Sequence, residues 1–380
     1  MPQSRKSRHD YECGICYTCP YSLSRITGVG RFVETLSERL ETRRFGSVII
    51  YPSPARSPAS SNDKVVPLRG TFLLDMKLAT RTALFVAESR GDFDVLHAQQ
   101  AHLQSVAAII VGKILGKPTA LTLHLRLSTS SRPIRRWFQT IVERLSLTLP
   151  DTVVAVSPEV ARNFGDRRVI VVENGIDIEK FRPSDESRRR IRDAVGLRDE
   201  FVWVFAGRWS RHKGIDLLLG AMTHPSLSDR DYRILLLGGR AADEPDLIDR
   251  GLQDAQVRNR LQIAGFVEDT APFLAAGDAM VLPSRVEGMP LAFLEAMATG
   301  LPVLASDIPV HRMLIERSGC GWTFRSGDVG DLSRAMAEIM DVGISRELRE
   351  RARAAAVRYH SLDLSTSRYQ ELYKRLVRVN

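Results

Sequence analysis

The chain is short of most features that announce a metal site, a disulfide framework, a membrane span or a nucleic-acid surface. Its 380 residues hold four cysteines, Cys13, Cys16, Cys19 and Cys320, too few and too unevenly placed to staple a chain of this length. The Cys13-x-x-Cys16-x-x-Cys19 spacing occurs in cluster loops and zinc sites. Here no fourth ligand stands nearby, and Gly14–Pro20 also reads as a short first strand with small apolar thiols. No apolar run reaches the ~18 residues of a membrane helix. Behind the polar, Arg-rich Met1–Asp10 there is no apolar stretch of signal-peptide type, which predicts a cytoplasmic protein. Aromatics make up 7% of the chain and no RNP-type strand interleaves them with basic residues, so nucleic acid is not an expected partner. Also missing are a G-x-x-x-x-G-K-[ST] phosphate loop and a full G-x-G-x-x-G fingerprint, which disfavours P-loop and nicotinamide chemistry. No H-x-x-x-H pair surrounds His97 or His124, and neither a metal nor a cofactor is expected.

What is present is enough apolar residue, 44% of the chain, to fill two ordinary cores. The formal charge of +9 is uneven: residues 1–178 hold 24 Lys and Arg against 16 Asp and Glu, and the remainder holds 30 against 29. The basic half suits an anionic partner, such as a phosphorylated acceptor or an anionic membrane surface. One segment, Arg132-Pro-Ile-Arg135-Arg136-Trp137-Phe138 through Leu149, combines cations with apolar residues at helical spacing. It could lie in a lipid interface, but the spacing better suits an ordinary core-facing helix.

Short apolar runs alternate with amphipathic stretches at Ser47–Tyr51, Val95–Ala98, Thr119–Leu123, Thr152–Ser157 and Val169–Val172. The pattern restarts at Phe201–Ala206, Tyr232–Leu237, Gln262–Phe266, Ala279–Pro283 and Pro302–Ser306. Runs buried on both faces and separated by helices predict parallel sheets, here two Rossmann-like doubly wound α/β domains facing a cleft. The seam is expected near Asn174–Pro183, where Asn-Gly and Pro mark a turn. A last helix, about Leu364–Val379, carries Tyr369, Leu372, Tyr373 and Leu376 as a packing stripe.

In open parallel sheets, ligands bind at the carboxyl ends of strands. The richest such end is Pro283-Ser-Arg-Val-Glu287-Gly288-Met289-Pro290-Leu291 with Glu295 beyond it. Pro290 suits a first helical position, and the amides from Gly288 to Leu291 then face an anion at a helix start. Glu287 and Glu295, eight residues apart, would lie roughly 12 Å apart at ~1.5 Å per residue. That is wide for a hydrolytic pair, whose carboxyls stand about 5–9.5 Å apart, and better fits two grips on an elongated ligand. After Ala206, Gly207-Arg208 with Lys213-Gly214 puts cations on a glycine-bearing turn, where they could neutralise a diphosphate. Gly238, ending the next run, would let a base or ribose approach the backbone. In the first half, Gly28-Val-Gly30-Arg31 precedes an amphipathic helix from about Phe32 to Leu40, and His97 and His124 each end a predicted strand.

Together these residues resemble the retaining nucleotide-sugar glycosyltransferases of family four, which have the GT-B fold. The resemblance rests on Gly28-Val-Gly30, Val95-Leu-His97, Leu121-Thr-Leu-His124, Val153–Ser157, Asn174-Gly-Ile-Asp177, Gly207-Arg208 with Lys213-Gly214, and Glu287-Gly-Met-Pro-Leu with Glu295. It implies that Arg208 and Lys213 hold the donor diphosphate, Glu295 the ribose, and Glu287 with the amides of Gly288–Leu291 the transferred sugar and distal phosphate. His124 would sit over the sugar and Gly30 below the phosphate. Residues 1–178 with a helix at about 362–380 would bind acceptor, with His97 and Arg31 as acceptor-side candidates. Residues 179–361 would bind a nucleotide-sugar donor, a UDP- or GDP-sugar, for transfer of a hexose-type sugar to a sugar, lipid-linked or small-molecule acceptor. The chain departs from the family where a second histidine usually follows His97: it has Gln99.

The implied mechanism is retaining and metal-independent, the leaving phosphate helping to deprotonate the incoming hydroxyl, so that no dedicated base is required. A nucleotide-sugar epimerase or phosphorylase of the same fold, or a non-catalytic basic membrane-surface protein, would share parts of this pattern. A phosphorylase would want a pyridoxal-bearing lysine, and no convincing candidate is present.

Overall fold

The computed structural model describes residues 11–19, 28–53, 64–67, 72–125, 133–162, 164, 169–241 and 243–379. The Met1–Asp10 segment, Pro20 and Arg132 lie outside the described residues. Contacts divide the chain into two compact units, Met1–Asn174 with Leu362–Asn380, and Gly175–Ser361.

Unit 1 is built on seven strands: β1 Cys13–Thr18, β2 Phe45–Ser53, β3 Lys64–Pro67, β4 Val95–Gln99, β5 Thr119–Leu123, β6 Thr152–Ala155 and β7 Val169–Val171. They pair in parallel in the order β3-β2-β1-β4-β5-β6-β7. Unit 2 has six: β8 Phe201–Ala206, β9 Tyr232–Leu237, β10 Leu261–Gly265, β11 Ala279–Leu282, β12 Val303–Ser306 and β13 Gly321–Phe324. These are also parallel, ordered β10-β9-β8-β11-β12-β13. Both orders run outward from the first strand and then reverse, the doubly wound arrangement whose switch point favours ligand binding at strand carboxyl ends.

The central strands read as continuous apolar runs because helices cover both faces. In β8 all residues after Phe201 are buried, and Trp203 and Phe205 share a core with Tyr232, Ile234 and Leu236 of β9. The two strands absent from the sequence expectation, β3 and β13, both lie at sheet edges. Each is four residues long, β3 ends in Pro67, and in β13 only Phe324 is fully buried. An edge strand has one neighbour and little apolar demand, so it leaves a faint pattern.

One expectation needs correction. The helix expected from Phe32 runs Gly28–Glu41, so Gly28 and Gly30 form its first turn instead of a preceding loop. Burial of Phe32, Val33, Leu36 and Leu40 fixes its inner face at helical spacing. The thiols of β1 do not converge: along a strand, positions three apart point to opposite faces, which separates Cys13 from Cys16. All four cysteines are buried and none forms a disulfide. The last helix, Leu362–Val379, does bury Tyr369, Leu372, Tyr373 and Leu376 as one stripe, and its Asp363 is held by Arg39 and Arg43 of unit 1.

No helix among the described residues is long and apolar enough to cross a membrane.

Candidate functional site

Unit 2 assembles its charged strand ends through two glycines that nothing larger could replace. Register between β8 and β9 pairs Ala206 with Leu237, which sets Gly207 and Gly238 side by side. Gly238 has φ +120, and a Cβ there would lie 1.9 Å from the Gly207 carbonyl oxygen. At Gly214, φ is +74 and a Cβ would meet the Pro283 oxygen at 1.9 Å. The turn after β8 therefore presses directly against the loop after β11. Ser210 caps the single 3₁₀ turn Arg211–Lys213 by accepting from the Lys213 amide.

That close approach brings Lys213 to Glu287. Lys213 Nζ donates to Glu287 Oε1 at 2.6 Å, joining residues 74 positions apart. The carboxylate side chain is 9% exposed and the lysine 26%. Burial pushes the Glu287 carboxyl up, but the Lys213 ammonium and its hydrogen bond outweigh burial and hold it below the usual carboxylate range. Other cations of the turn are committed elsewhere. Arg285 makes a bidentate pair with Asp216 at 2.8 and 2.9 Å, and Arg211 bonds Glu244 at 3.2 Å. Arg208 is exposed and has no ion pair among the described residues.

The helix beyond Glu287 runs Leu291–Ala298 with Pro290 as its N-cap, one position later than the spacing suggested. Its first amides lack partners within the helix, as in any helix start. Gly288, Met289 and Pro290 are buried beside it. Glu295, 1% exposed, accepts from Thr270 Oγ1 at 3.2 Å.

One residue of this region escaped the sequence reading. His311 lies in the first turn of the helix Pro309–Ser318, just past the carboxyl end of β12, and is fully buried. Its Nδ1 stands 3.0 Å from the Ser306 carbonyl, which can only accept, so Nδ1 carries the proton and Nε2 is bare. Nε2 has no hydrogen-bond partner among the described residues. Burial lowers His311 to about 4, with Glu287 opposing the shift and Lys213 adding to it. A histidine one turn beyond a strand's carboxyl end was the available signal.

The carboxyl ends of β4 and β5 in unit 1 are different in kind. His97 is fully buried, with Nδ1 2.6 Å from the Tyr373 hydroxyl and Nε2 2.7 Å from Thr122 Oγ1. Both ring nitrogens are occupied, so the His97 ring is engaged in the core. Tyr17 continues the chain to Tyr373 at 2.9 Å. His124 is 9% exposed, and its Nε2 meets Gln99 Oε1 at 2.8 Å. Gln99, where the family pattern has histidine, is thus the direct partner of His124, and its own amide nitrogen is unbonded among the described residues. Gln100, at φ +66, accepts from the His124 and Leu125 amides at 2.8 and 3.2 Å and fixes the loop between them. Burial first, and for His97 also the neighbouring His124, brings both rings down to about 3. Asp92-Phe-Asp94, a D-x-D spacing close to His97, precedes β4, and Asp94 accepts the Gly14 amide at 2.8 Å. Arg31 is half-buried on the helix Gly28–Glu41.

Two family models match the chain, glycosyltransferase family 4 over residues 26–180 and glycosyl transferases group 1 over residues 200–341. The chain belongs to the family-four glycosyltransferases. This glycosyltransferase is 24% identical to a phosphatidyl-myo-inositol mannosyltransferase of Mycobacterium leprae, over 94% of the chain and 95% of that protein. It is 27% identical to the UDP-Gal:alpha-D-GlcNAc-diphosphoundecaprenol alpha-1,3-galactosyltransferase of Escherichia coli, over 54% of each, so it spans about half of that relative. Among solved structures, a sucrose-phosphate synthase from Thermosynechococcus elongatus superposes with TM-score 0.82 at 20% identity, covering 97% of the chain and all of that one. At that identity the likeness speaks for the fold alone, which is GT-B. The epimerase, phosphorylase and non-catalytic readings gain no support from these relatives.

Proposed function

We propose that this glycosyltransferase is retaining and metal-independent, and that it moves a hexose-type sugar from a UDP- or GDP-sugar to a hydroxyl of a lipid-linked or glycolipid acceptor. The observation that carries the reading is the Lys213–Glu287 pair, a cation and a carboxylate brought to 2.6 Å from two strand ends of one sheet. In the proposal Lys213 and Arg208 neutralise the departing diphosphate. Gly207 and Gly238 admit the nucleotide to the backbone, and the helix start at Gly288–Leu291 adds oriented amides. Glu287 takes the sugar hydroxyls and Glu295 the ribose. Glu287 is paired with Lys213 and Glu295 with Thr270 before the donor arrives, and with the two then taken up by sugar and ribose hydroxyls neither carboxylate is a free base, which favours deprotonation of the acceptor by the leaving phosphate. Unit 2 is the donor side and unit 1 the acceptor side, with His124 a sugar-side group of unit 1.

The acceptor class is supported by relatives whose names specify phosphatidyl-inositol and diphosphoundecaprenol substrates. It is also supported by the helix Pro133–Thr148, which exposes Arg136, Arg144 and Trp137, the last 67% exposed. This face fits peripheral docking of a cytoplasmic protein on an anionic membrane. Vesicles containing anionic lipid should pull the protein down at low salt, and Arg136→Glu with Trp137→Ala should abolish it; absence of sedimentation would remove the membrane from the proposal.

The donor is tested by thermal shift with UDP, GDP, ADP and their sugars, since a ligand stabilises the state it binds. One nucleotide series should raise the melting temperature. A flat result across the panel would overturn the donor assignment.

A further inference from the structure

Lys213 cannot serve a diphosphate and remain the sole counterion of Glu287 without loss, because Glu287 is 9% exposed and a buried carboxylate left alone is costly. A second base feels this pair. His311 is fully buried, its orientation is set by the Nδ1 bond to the Ser306 carbonyl, and the Ser306 hydroxyl in turn bonds the Ser284 carbonyl at 2.5 Å. Its Nε2 is the one position on the ring left to accept a proton. The groups acting on this ring are Glu287 and Lys213, with Phe293 packed at 5.9 Å between ring centres.

We propose that His311 is a positioning residue that replaces Lys213 as the counterion of Glu287 when the donor binds: Lys213 turns to the diphosphate, Nε2 of His311 takes one proton from solvent, and the imidazolium holds the carboxylate for the sugar. The charge balance closes, since the site gains one proton for the cation it lends. This rests on the reading of Lys213 as a diphosphate residue. In the empty site burial, and then Lys213, press the His311 ring toward neutrality while Glu287 and the Ser306 carbonyl favour its charged form. Moving Lys213 onto an anion removes the opposing charge and leaves Glu287 and the Ser306 carbonyl to work against burial alone.

His212 is the other candidate for the proton, since it feels the same pair. Burial is the first cause that lowers it, and Arg285, held on Asp216 and not lent to the diphosphate, still acts on it after Lys213 has moved. The proton goes to His311.

The consequence is proton uptake on donor binding. Because the bound state has the higher histidine pKa, affinity rises as pH falls from 8 toward 6, approaching tenfold per pH unit at full uptake. Titration calorimetry with UDP-glucose and with GDP-mannose, in two buffers of different ionisation enthalpy, measures this directly; the phosphates of a nucleotide sugar do not titrate in that range. The expected result is uptake in the parent protein, its loss in His311→Gln and its retention in His212→Gln. Binding without proton exchange, uptake persisting in His311→Gln, or loss in His212→Gln would each overturn the proposal while leaving the donor site intact. If neither nucleotide sugar binds in any buffer, the diphosphate reading itself has failed. Should His311→Gln not fold, histidine ring resonances serve instead. In His212→Gln with Lys213→Met one buried histidine should titrate near neutrality, and in His212→Gln alone it should not; no such difference overturns the proposal.

Discussion

Two sheets of the same winding order carry opposite chemistry at their strand ends. In unit 1 the ends of β4 and β5 hold His97, His124, Gln99, Thr122 and Tyr373 in a buried, neutral hydrogen-bond network. In unit 2 the ends of β8 and β11 hold Lys213, Glu287, Arg208, Arg285 and Asp216, all of them charged and several reaching solvent. The fold supplies the same crevice twice, and what fills it decides the work. Ionic groups facing solvent can exchange a partner for a ligand. A satisfied neutral network inside the core resists exchange, because each broken bond leaves an unpaired buried group costing about 1–3 kcal/mol.

The largest expected effect tests this contrast at its charged end. On the proposed mechanism Lys213→Met removes a cation aimed at charge that develops on the leaving group, and such removals lower turnover about 10²–10³-fold. Donor affinity should fall far less, because the helix start and Arg208 remain. Steady-state rates at saturating donor, compared with calorimetric binding, separate the two. Equal turnover in mutant and parent would refute the catalytic reading. A loss of the same size in Tyr373→Phe, which deletes only a hydroxyl of the unit 1 network, would break the comparison itself.

The next effect concerns acid. Burial holds His97 and His124 at about 3 and His102 at about 4, all in unit 1, whereas His311 at about 4 is the comparable ring of unit 2. Between the unfolded histidine value of ~6.5 and these lowered values, the unfolded chain binds protons that the folded chain refuses. Stability is therefore lost as pH falls below ~6.5, by up to about 1.4 kcal/mol per pH unit for each such ring, and is unchanged by these groups above it. Hydrogen exchange between pH 6.5 and 4.5 should show unit 1 opening before unit 2. The reverse order would mean that the unit 1 network is not the acid-sensitive element.

The sequence reading reached the parallel α/β architecture because buried central strands leave continuous apolar runs such as Phe201–Ala206 and Thr119–Leu123, each observed at those limits. It missed β3 and β13 because edge strands are short and half-paired. Glu287 and Lys213 could be singled out by residue type, but their contact depends on Gly214 fitting against Pro283, a closeness that no linear spacing encodes. His97 looked the equal of His124 in sequence. The difference is made by Tyr373, 276 positions away, which the last helix returns to β4. Gln99 registered only as a departure from the family pattern, whereas it is the side chain that bonds His124.

The smallest effect lies where unit 1 does use charge. Arg39 meets Asp363 through two hydrogen bonds at 2.9 and 2.6 Å, and Arg43 adds a third at 2.8 Å. These tie the helix that carries Tyr369 and Tyr373 to the helix Gly28–Glu41. The partners are roughly half exposed, Asp363 at 54% and Arg39 at 41%, so solvent screens them. Exposed pairs of this kind contribute about 0.2–1 kcal/mol each. Asp363→Asn should lower stability by at most about 1 kcal/mol in chemical denaturation, with the difference shrinking as salt is raised and turnover unchanged. A larger, salt-insensitive loss would mean that this pair governs the placement of Tyr373, and through it the His97 network. The neutral edge of unit 1 would then depend on surface charge after all.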